Sequence, residues 1–295
     1  MQIEVVVDAG AIIGESPTWA AAEQALYWID VKKPALYRFD PATGGQRVWP
    51  VPSDIGAFAL VVDPPAAVVA LRNGIFELDL ASGGLTFLAP PPFDPTLFRF
   101  NEGGCDVAGR FWLGVMFDPV VIGAPPQKSS LHSFTFEHGL RPEPDAAELH
   151  NGMAWSADNR TFYLTHSFRQ RILAYSFDPG LGRLGQPIIF SDVPKHDGLP
   201  DGAAIDVEGG YWCALHGGGR LRRYAPTGEI DRDIPLPVSQ PTMCAFGGPD
   251  LETLFVTSAA EKLSPRQHAL EPHAGALFKF NPGIRGISRP YLLAR

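Results

Sequence analysis

The sequence has few cysteines, no excess of basic residues and no long apolar segment. Its three cysteines, Cys105, Cys213 and Cys244, are far apart and odd in number, so they match no disulfide framework or metal motif. The 24 Lys and Arg residues are outnumbered by 32 Asp and Glu residues, which argues against a nucleic-acid partner. No stretch is long enough to span a membrane, and the N-terminal residues do not resemble a signal peptide. We therefore expect a cytoplasmic protein with buried, reduced thiols and no membrane partner.

Long helical periodicity is also missing, and the apolar runs that occur are short. They are rich in β-branched and aromatic residues and end at Gly, Asp or Pro, which is typical of short strands joined by turns. The 31 glycines and 29 prolines lie mainly between these runs. The sequence therefore predicts an all-β protein.

A sixfold repeat fills the chain. In each unit a short turn-like peptide precedes an apolar strand, a Gly or Asp turn and a second strand that carries aromatic residues. The units open at Gly14-Glu15-Ser16-Pro17, Ile55-Gly56, Asn101-Glu102-Gly103, Asn151-Gly152, Asp201-Gly202 and Pro241-Thr242. Their spacing of about 40 to 50 residues is typical of propeller blades.

These repeats predict a single domain over residues 1–295, a six-bladed β-propeller with four-stranded blades around a central channel. The second unit should begin with a strand over residues 56–62. Residues 3–7 should add the outer strand of the last blade, beside a C-terminal segment around residues 291–293. The irregular stretches 117–128 and 261–272 follow second strands, so we expect them to overhang the mouth of the channel where ligands bind.

Several openings carry an oxygen-bearing side chain, at Glu15, Asn101, Asn151 and Asp201. Because equivalent positions of different blades face the central axis, we expect these oxygens to converge, as ligands of hard divalent cations do. Asn-Gly and Asp-Gly are also ordinary turn dipeptides, so the shared position is what indicates a ligand set. Ca²⁺, Mg²⁺ or Mn²⁺ suits such ligands, and Zn²⁺ or Fe²⁺ stays open.

The sequence resembles the regucalcin/gluconolactonase family over essentially its whole length. The resemblance rests on the ordered set Gly14-Glu15-Ser16-Pro17, Arg99-Phe100-Asn101-Glu102-Gly103, Asn151-Gly152-Met153-Ala154-Trp155, Pro200-Asp201-Gly202 and Pro241-Thr242-Met243-Cys244. It implies a propeller that binds one divalent cation and hydrolyses sugar lactones. The family's metal ligands match Glu15, Asn151 and Asp201, and the same Asp201 matches its catalytic residue.

The family's substrate-contacting Arg and Asn match Arg99 and Asn101. A substrate-contacting Glu of some members aligns with Pro119 here, and we expect the adjacent Asp118 to take its place. Two further departures are Glu102, where the family usually has Asp, and His166, which we interpret as structural or close to the site and not as a ligand.

Lactone opening needs a polarised carbonyl, a water nucleophile and a proton acceptor, which the cation and Asp201 would supply. The sequence predicts metal-dependent hydrolysis of an aldonolactone, such as glucono-, xylono- or arabinolactone, to the aldonic acid in carbohydrate catabolism. A phosphotriesterase-like hydrolase and a non-catalytic calcium-binding propeller are the alternatives. We expect a monomer or a weak homodimer.

Overall fold

The computed structural model describes residues 2–61 and 65–294, and this part of the chain is nearly all strand. Six four-stranded antiparallel sheets follow one another around a ring. The prediction of an all-β, six-bladed propeller with four-stranded blades is therefore confirmed. The predicted end of the second unit's first strand, Val62, lies outside the described residues. None of the described helices is long and apolar enough to cross a membrane.

Five of the six blades are contiguous in sequence, and each of these five runs from the channel outward. The first three consist of β2 (Gly14–Ala20), β3 (Ala25–Asp30), β4 (Ala35–Phe39) and β5 (Gln46–Pro50); β6 (Ile55–Val61), β7 (Ala66–Leu71), β8 (Gly74–Asp79) and β9 (Leu85–Ala89); and β10 (Phe98–Cys105), β11 (Phe111–Phe117), β12 (Ser129–Thr135) and β13 (Gly139–Ala147).

The next two blades follow the same order. They consist of β14 (His150–Trp155), β15 (Thr161–His166), β16 (Arg171–Asp178) and β17 (Arg183–Asp192); and β18 (Leu199–Ile205), β19 (Tyr211–His216), β20 (Arg220–Tyr224) and β21 (Ile230–Pro235). Short 3-10 helices at Ser167–Arg169 and Lys195–Asp197 connect strands, and α1 (Pro265–Leu270) lies in the loop after β23.

The last blade closes the ring with both ends of the chain. It consists of β22 (Pro241–Gly247), β23 (Thr253–Ser258), β24 (Leu277–Phe280) and, as its outer strand, β1 (Glu4–Val7). The expectation for the N-terminal segment is thus met. The C-terminal segment does not lie beside that strand as expected, because Leu292 and Leu293 donate backbone hydrogen bonds to Leu60 and Gly109 of other blades.

The core lies between adjacent blades, where apolar side chains of neighbouring sheets pack together. The third and fifth blades each have a buried hydrogen bond between a tryptophan and an aspartate at the turn after the inner strand. The indole N–H of Trp112 donates to Asp106 at 2.8 Å, and that of Trp212 donates to Asp206 at 2.7 Å. Both carboxylates are fully buried, so these bonds satisfy groups that would otherwise be costly to desolvate.

Candidate metal centre

The inner strands are irregular close to their first residues, and this irregularity shapes the channel mouth. Their pairing register shifts between Glu15 and Thr18, Ile55 and Ala57, Phe100 and Gly103, Asn151 and Ala154, Pro200 and Ala203, and Pro241 and Met243. A β-bulge re-aims the side chains around it and is common beside active sites. The predicted site residues Glu15, Asn101, Asn151 and Asp201 all lie in or next to these bulges.

The second blade opens on glycine because the neighbouring backbone leaves no room for a side chain. A Cβ atom at Gly56 would lie 2.0 Å from the carbonyl oxygen of Phe100 in the next inner strand. The sixth blade opens on Thr242, whose hydroxyl donates to the carbonyl oxygen of Gly14 at 2.5 Å. At these two positions the first residues of a blade contact the neighbouring inner strand. The other four blades carry the acidic and amide groups at the equivalent position.

Three carboxyl groups are buried together at this end of the channel. Glu15 is 7% exposed, Asp201 9% and Glu102 1%. Burial, followed by the nearby Glu102 carboxylate, raises the pKa of Glu15 to about 8. Burial, followed by Glu15 and Glu102, raises the pKa of Asp201 well above its usual value, and burial raises that of Glu102 to about 7. Like charges in a low dielectric disfavour ionisation of the whole group.

This environment fits a divalent cation. Glu15 accepts a hydrogen bond from the backbone N–H of Ser16, and Glu102 accepts those of Gly152 and Met153. Within residues 2–61 and 65–294, no basic side chain donates to either carboxylate. A cation near these carboxylates would relieve both their desolvation and their mutual repulsion. Two carboxylates and an amide oxygen, from Glu15, Asp201 and Asn151, form a donor set that hard cations accept.

The amide of Asn151 is held in one orientation by two neighbours. Its Nδ2 donates to Ser167 Oγ at 2.9 Å, and its Oδ1 accepts from Asn101 Nδ2 at 2.5 Å. The same Asn101 amide also donates to the backbone carbonyl of His150 at 3.0 Å. Ser167 had no assigned role in the sequence; it directly follows β15 and begins the 3-10 helix Ser167–Arg169.

Glu102 supports the bulge of the neighbouring blade. Its two carboxylate oxygens accept the backbone N–H groups of Gly152 at 2.6 Å and Met153 at 2.8 Å. These residues directly follow Asn151, so Glu102 fixes the backbone from which that side chain projects. Hydrogen bonds from buried N–H groups to a carboxylate are strong. Glu102, where the family usually has Asp, therefore has a structural role here.

The predicted substrate-binding residues form a connected ion network at the same mouth. Arg99 donates to Asn101 Oδ1 at 2.8 Å and to Asp118 Oδ2 at 3.1 Å. Asp118 Oδ2 also accepts from Lys32 Nζ at 2.8 Å and from Arg72. Although burial opposes ionisation, Arg99, Lys32 and Arg72 lower the pKa of Asp118 to about 2. Asp118 therefore holds Arg99 in place through one oxygen, and Oδ1 is the oxygen not used by these bonds.

A second cluster lies behind Asn151. Among the described residues, Asp145, His150 and His166 are the one group of His, Cys, Asp or Glu side chains whose ligand atoms all lie within 4.8 Å of one another. Asp145 Oδ1 bonds to His150 Nε2 at 2.9 Å and to His166 Nε2 at 2.8 Å, and the Tyr175 hydroxyl donates to Oδ2. His150 Nδ1 accepts the N–H of Val115 at 3.2 Å, so its Nε2 carries the proton.

A metal would need the same carboxylate oxygens and ring nitrogens that these hydrogen bonds use. The Asp145 carboxylate already has three donors, from His150, His166 and Tyr175. The cluster resembles a completed polar network more than a vacant ligand set. The structure places His166 in this network, and the structural interpretation of that residue stays a prediction. Glu15, Asn151 and Asp201 accordingly remain our candidates for the metal ligands.

The fold is that of a six-bladed propeller with acidic and amide groups at one mouth of its channel, and comparisons identify the family. Residues 13–260 match the SMP-30/Gluconolactonase/LRE-like region, and the chain belongs to this family. It is 34% identical over 290 residues to 6-deoxy-6-sulfogluconolactonase of Pseudomonas putida, covering 98% of this chain and 97% of that one. It is 32% identical over 293 residues to regucalcin of Xenopus laevis, covering 98% and 97%.

A solved structure and a further relative agree. The structure of a calcium-binding protein, regucalcin, from Agrobacterium tumefaciens superposes with a TM-score of 0.90 at 27% identity, covering 98% of this chain and 96% of that one. A putative sugar lactone lactonase of Bacillus subtilis is 31% identical over 279 residues, covering 94% of each chain. The resemblance to the regucalcin/gluconolactonase family is confirmed.

Proposed function

We propose that the protein hydrolyses a sugar lactone and that a divalent cation held by Glu15, Asn151 and Asp201 is required. The observation that carries this proposal is the group of buried carboxylates with raised pKa at the channel mouth, beside an amide held in one orientation. Family membership and relatives named as lactonases support the reaction class.

The chain's own groups have distinct roles in this proposal. When bound, a divalent cation supplies a Lewis acid for the lactone carbonyl. Asp201 would accept the proton of the attacking water as a general base. Arg99 and Asn101 hydrogen-bond the sugar and are held rigidly by each other and by Asp118. Glu102 keeps Asn151 in place through the backbone of its neighbours.

Turnover of aldonolactones on chelator-stripped protein, with single divalent ions added back, tests this proposal. We expect proton release at constant pH above the spontaneous rate for at least one of glucono-, xylono- or arabinolactone, and only with an added ion. The same preparation is titrated with each ion by calorimetry. Tight metal binding without lactone turnover would instead favour the phosphotriesterase-like or the calcium-binding alternative.

A second observation favours a lactone that carries a negative charge. Lys32, Arg72 and Arg99 share the carboxylates of Asp54 and Asp118, so the network has one positive charge in excess. The Lys32 side chain is 25% exposed and uses two of its three N–H donors on these carboxylates. The Pseudomonas putida relative is named for a sulfonated gluconolactone, which has such a charge. We therefore propose sulfonated or phosphorylated aldonolactones as the preferred substrates.

Replacement of Lys32 by methionine tests the charge preference. We expect KM for a 6-sulfonated or 6-phosphorylated gluconolactone to rise about five- to tenfold, with kcat and the KM of uncharged gluconolactone little changed. Lys33→Met is the matched control, because Lys33 is the adjacent lysine and is exposed. Equal effects on the charged and uncharged lactones would contradict the preference.

A further inference from the structure

A cavity lies at the opposite end of the channel from the candidate metal centre. Its volume is about 300 Å³, and it lies where the inner strands end, at Trp19, Cys105, Trp155, Ile205 and Phe246. The predicted metal ligands lie where the same strands begin. The two regions are therefore separated by the length of the inner strands, and the function proposed above makes no use of this cavity.

The C-terminal segment, residues 284–294, forms the cover of this cavity. Gly286 bridges to Asp206, and the N–H of Ile287 donates to the carbonyl of Ile205 at 3.3 Å. Further on, the N–H of Leu292 donates to Leu60 at 3.0 Å. The segment thus spans from the fifth blade to the second and is fixed at both sides of the channel. Residues 288–290, between these anchors, line the cavity.

Arg289 projects from this segment toward the channel axis. Its Nη2 donates to the carbonyl oxygen of Ala203, in the inner strand β18, at 2.8 Å. That is its one hydrogen bond to a described residue, which leaves most of the five guanidinium N–H donors without a protein acceptor. The charge of Arg289 also acts on Glu102 and Glu15 further along the channel. The guanidinium is therefore a cation near the axis with donors to spare.

The rest of the cavity wall is mostly apolar. Trp19, Trp155, Phe246 and Ile205 supply aromatic and aliphatic surface, and none of the described lining residues is Asp or Glu. The indole N–H groups of Trp19 and Trp155 have no hydrogen-bond partner in the described part of the chain. Apolar walls with a few polar groups that converge are typical of small-molecule sites. The charged group in the described lining is the Arg289 guanidinium, which is a cation, so the cavity favours a ligand with an anionic group.

We propose that this cavity is a second ligand site that binds a compact carboxylate with an apolar body. The carboxylate would pair with the free side of the Arg289 guanidinium, whose planar fork matches it. The body would lie against the two tryptophans. A volume of 300 Å³ corresponds to the liquid share of about ten water molecules, so the ligand has on the order of ten non-hydrogen atoms.

Calorimetric titration with benzoate and with its neutral analogue benzamide tests the site. We expect saturable benzoate binding with one site per chain, and affinity for benzamide at least about tenfold lower. Arg289→Met should remove this difference by weakening benzoate alone. Because two tryptophans line the cavity, benzoate should also change the intrinsic fluorescence of the protein, and the change should follow the calorimetric occupancy.

Two further variants separate the site from general effects on folding. Ala157→Phe adds a ring at an exposed lining position, so it should block benzoate while leaving Arg289 untouched. Arg285→Met removes an exposed arginine of the same segment that does not line the cavity, and it should bind benzoate as the parent does. Absence of saturable benzoate binding would overturn the proposal, as would equal affinity of the parent and the Arg289→Met protein with both variants folded. Neither readout depends on lactone hydrolysis.

Discussion

Replacement of Asp201 by asparagine should lower kcat for the best lactone by about 10²–10⁴-fold, because a positioned general base contributes on that scale. Asparagine has nearly the same shape and keeps an oxygen that can face a cation, but it cannot accept the proton of water at neutral pH. It also removes one of three buried carboxyl groups that repel one another when ionised. The folded protein should therefore survive the change and lose chemistry rather than structure.

Three measurements make this result decisive. Proton release at constant pH gives kcat, calorimetry shows whether a divalent ion still binds, and thermal unfolding shows whether the propeller is intact. Asp192→Asn, at an exposed carboxylate of the fourth blade, is the matched control and should keep parental turnover. Near-parental turnover of the Asp201→Asn protein with metal bound would show that another group is the base.

The sequence predicted the fold because its information is local and repeated. Each blade has its own turn residues and strand pattern, and the period between openings is itself the signal for a propeller. The openings predicted which residues share the channel mouth, since equivalent positions of parallel inner strands lie side by side. Glu15, Asn151 and Asp201 accordingly lie at one end of the channel, although whether they bind metal stays a prediction.

Contacts between blades could not be predicted in this way. The bonds from Glu102 to Gly152 and Met153 join residues about fifty positions apart, and they depend on bulges that the strand pattern does not reveal. Lys32 of the first blade likewise reaches Asp118 of the third, a contact that the strand pattern does not reveal. Asp118 was expected to contact substrate directly. In the structure Asp118 also holds Arg99 through Oδ2, and these bonds leave Oδ1 for contact with a substrate.

The position of the C-terminal segment could not be predicted from the sequence for a different reason. Its apolar residues suggested a position beside the outer strand of the last blade, but β1 already completes that four-stranded sheet. The segment instead crosses the far mouth, where its backbone finds partners in Ile205 and Leu60. Strand pattern alone does not distinguish an edge of a sheet from an end of the channel, so Arg289 could not be placed from the sequence.

The metal-free protein should lose stability as pH rises from about 4.5 to about 8. Burial raises the pKa of Glu15 from 4.5 to about 8 and that of Glu102 from 4.5 to about 7. Between these values the folded protein keeps protons that the unfolded chain releases, so the free energy of unfolding falls with increasing pH. One pKa unit corresponds to about 1.4 kcal/mol, which makes the change over this window several kcal/mol in order of magnitude.

Thermal unfolding of chelator-stripped protein at a series of pH values measures this change. A divalent ion should restore stability most at the alkaline end, because the carboxylates must be deprotonated to bind it. Glu15→Gln should flatten the metal-free profile, since the amide does not titrate, and should also weaken metal binding. Glu252→Gln, at an exposed position, should keep the parental profile. A melting temperature that is constant or rises across this pH range would show that burial does not raise the pKa values of Glu15 and Glu102 in the folded protein.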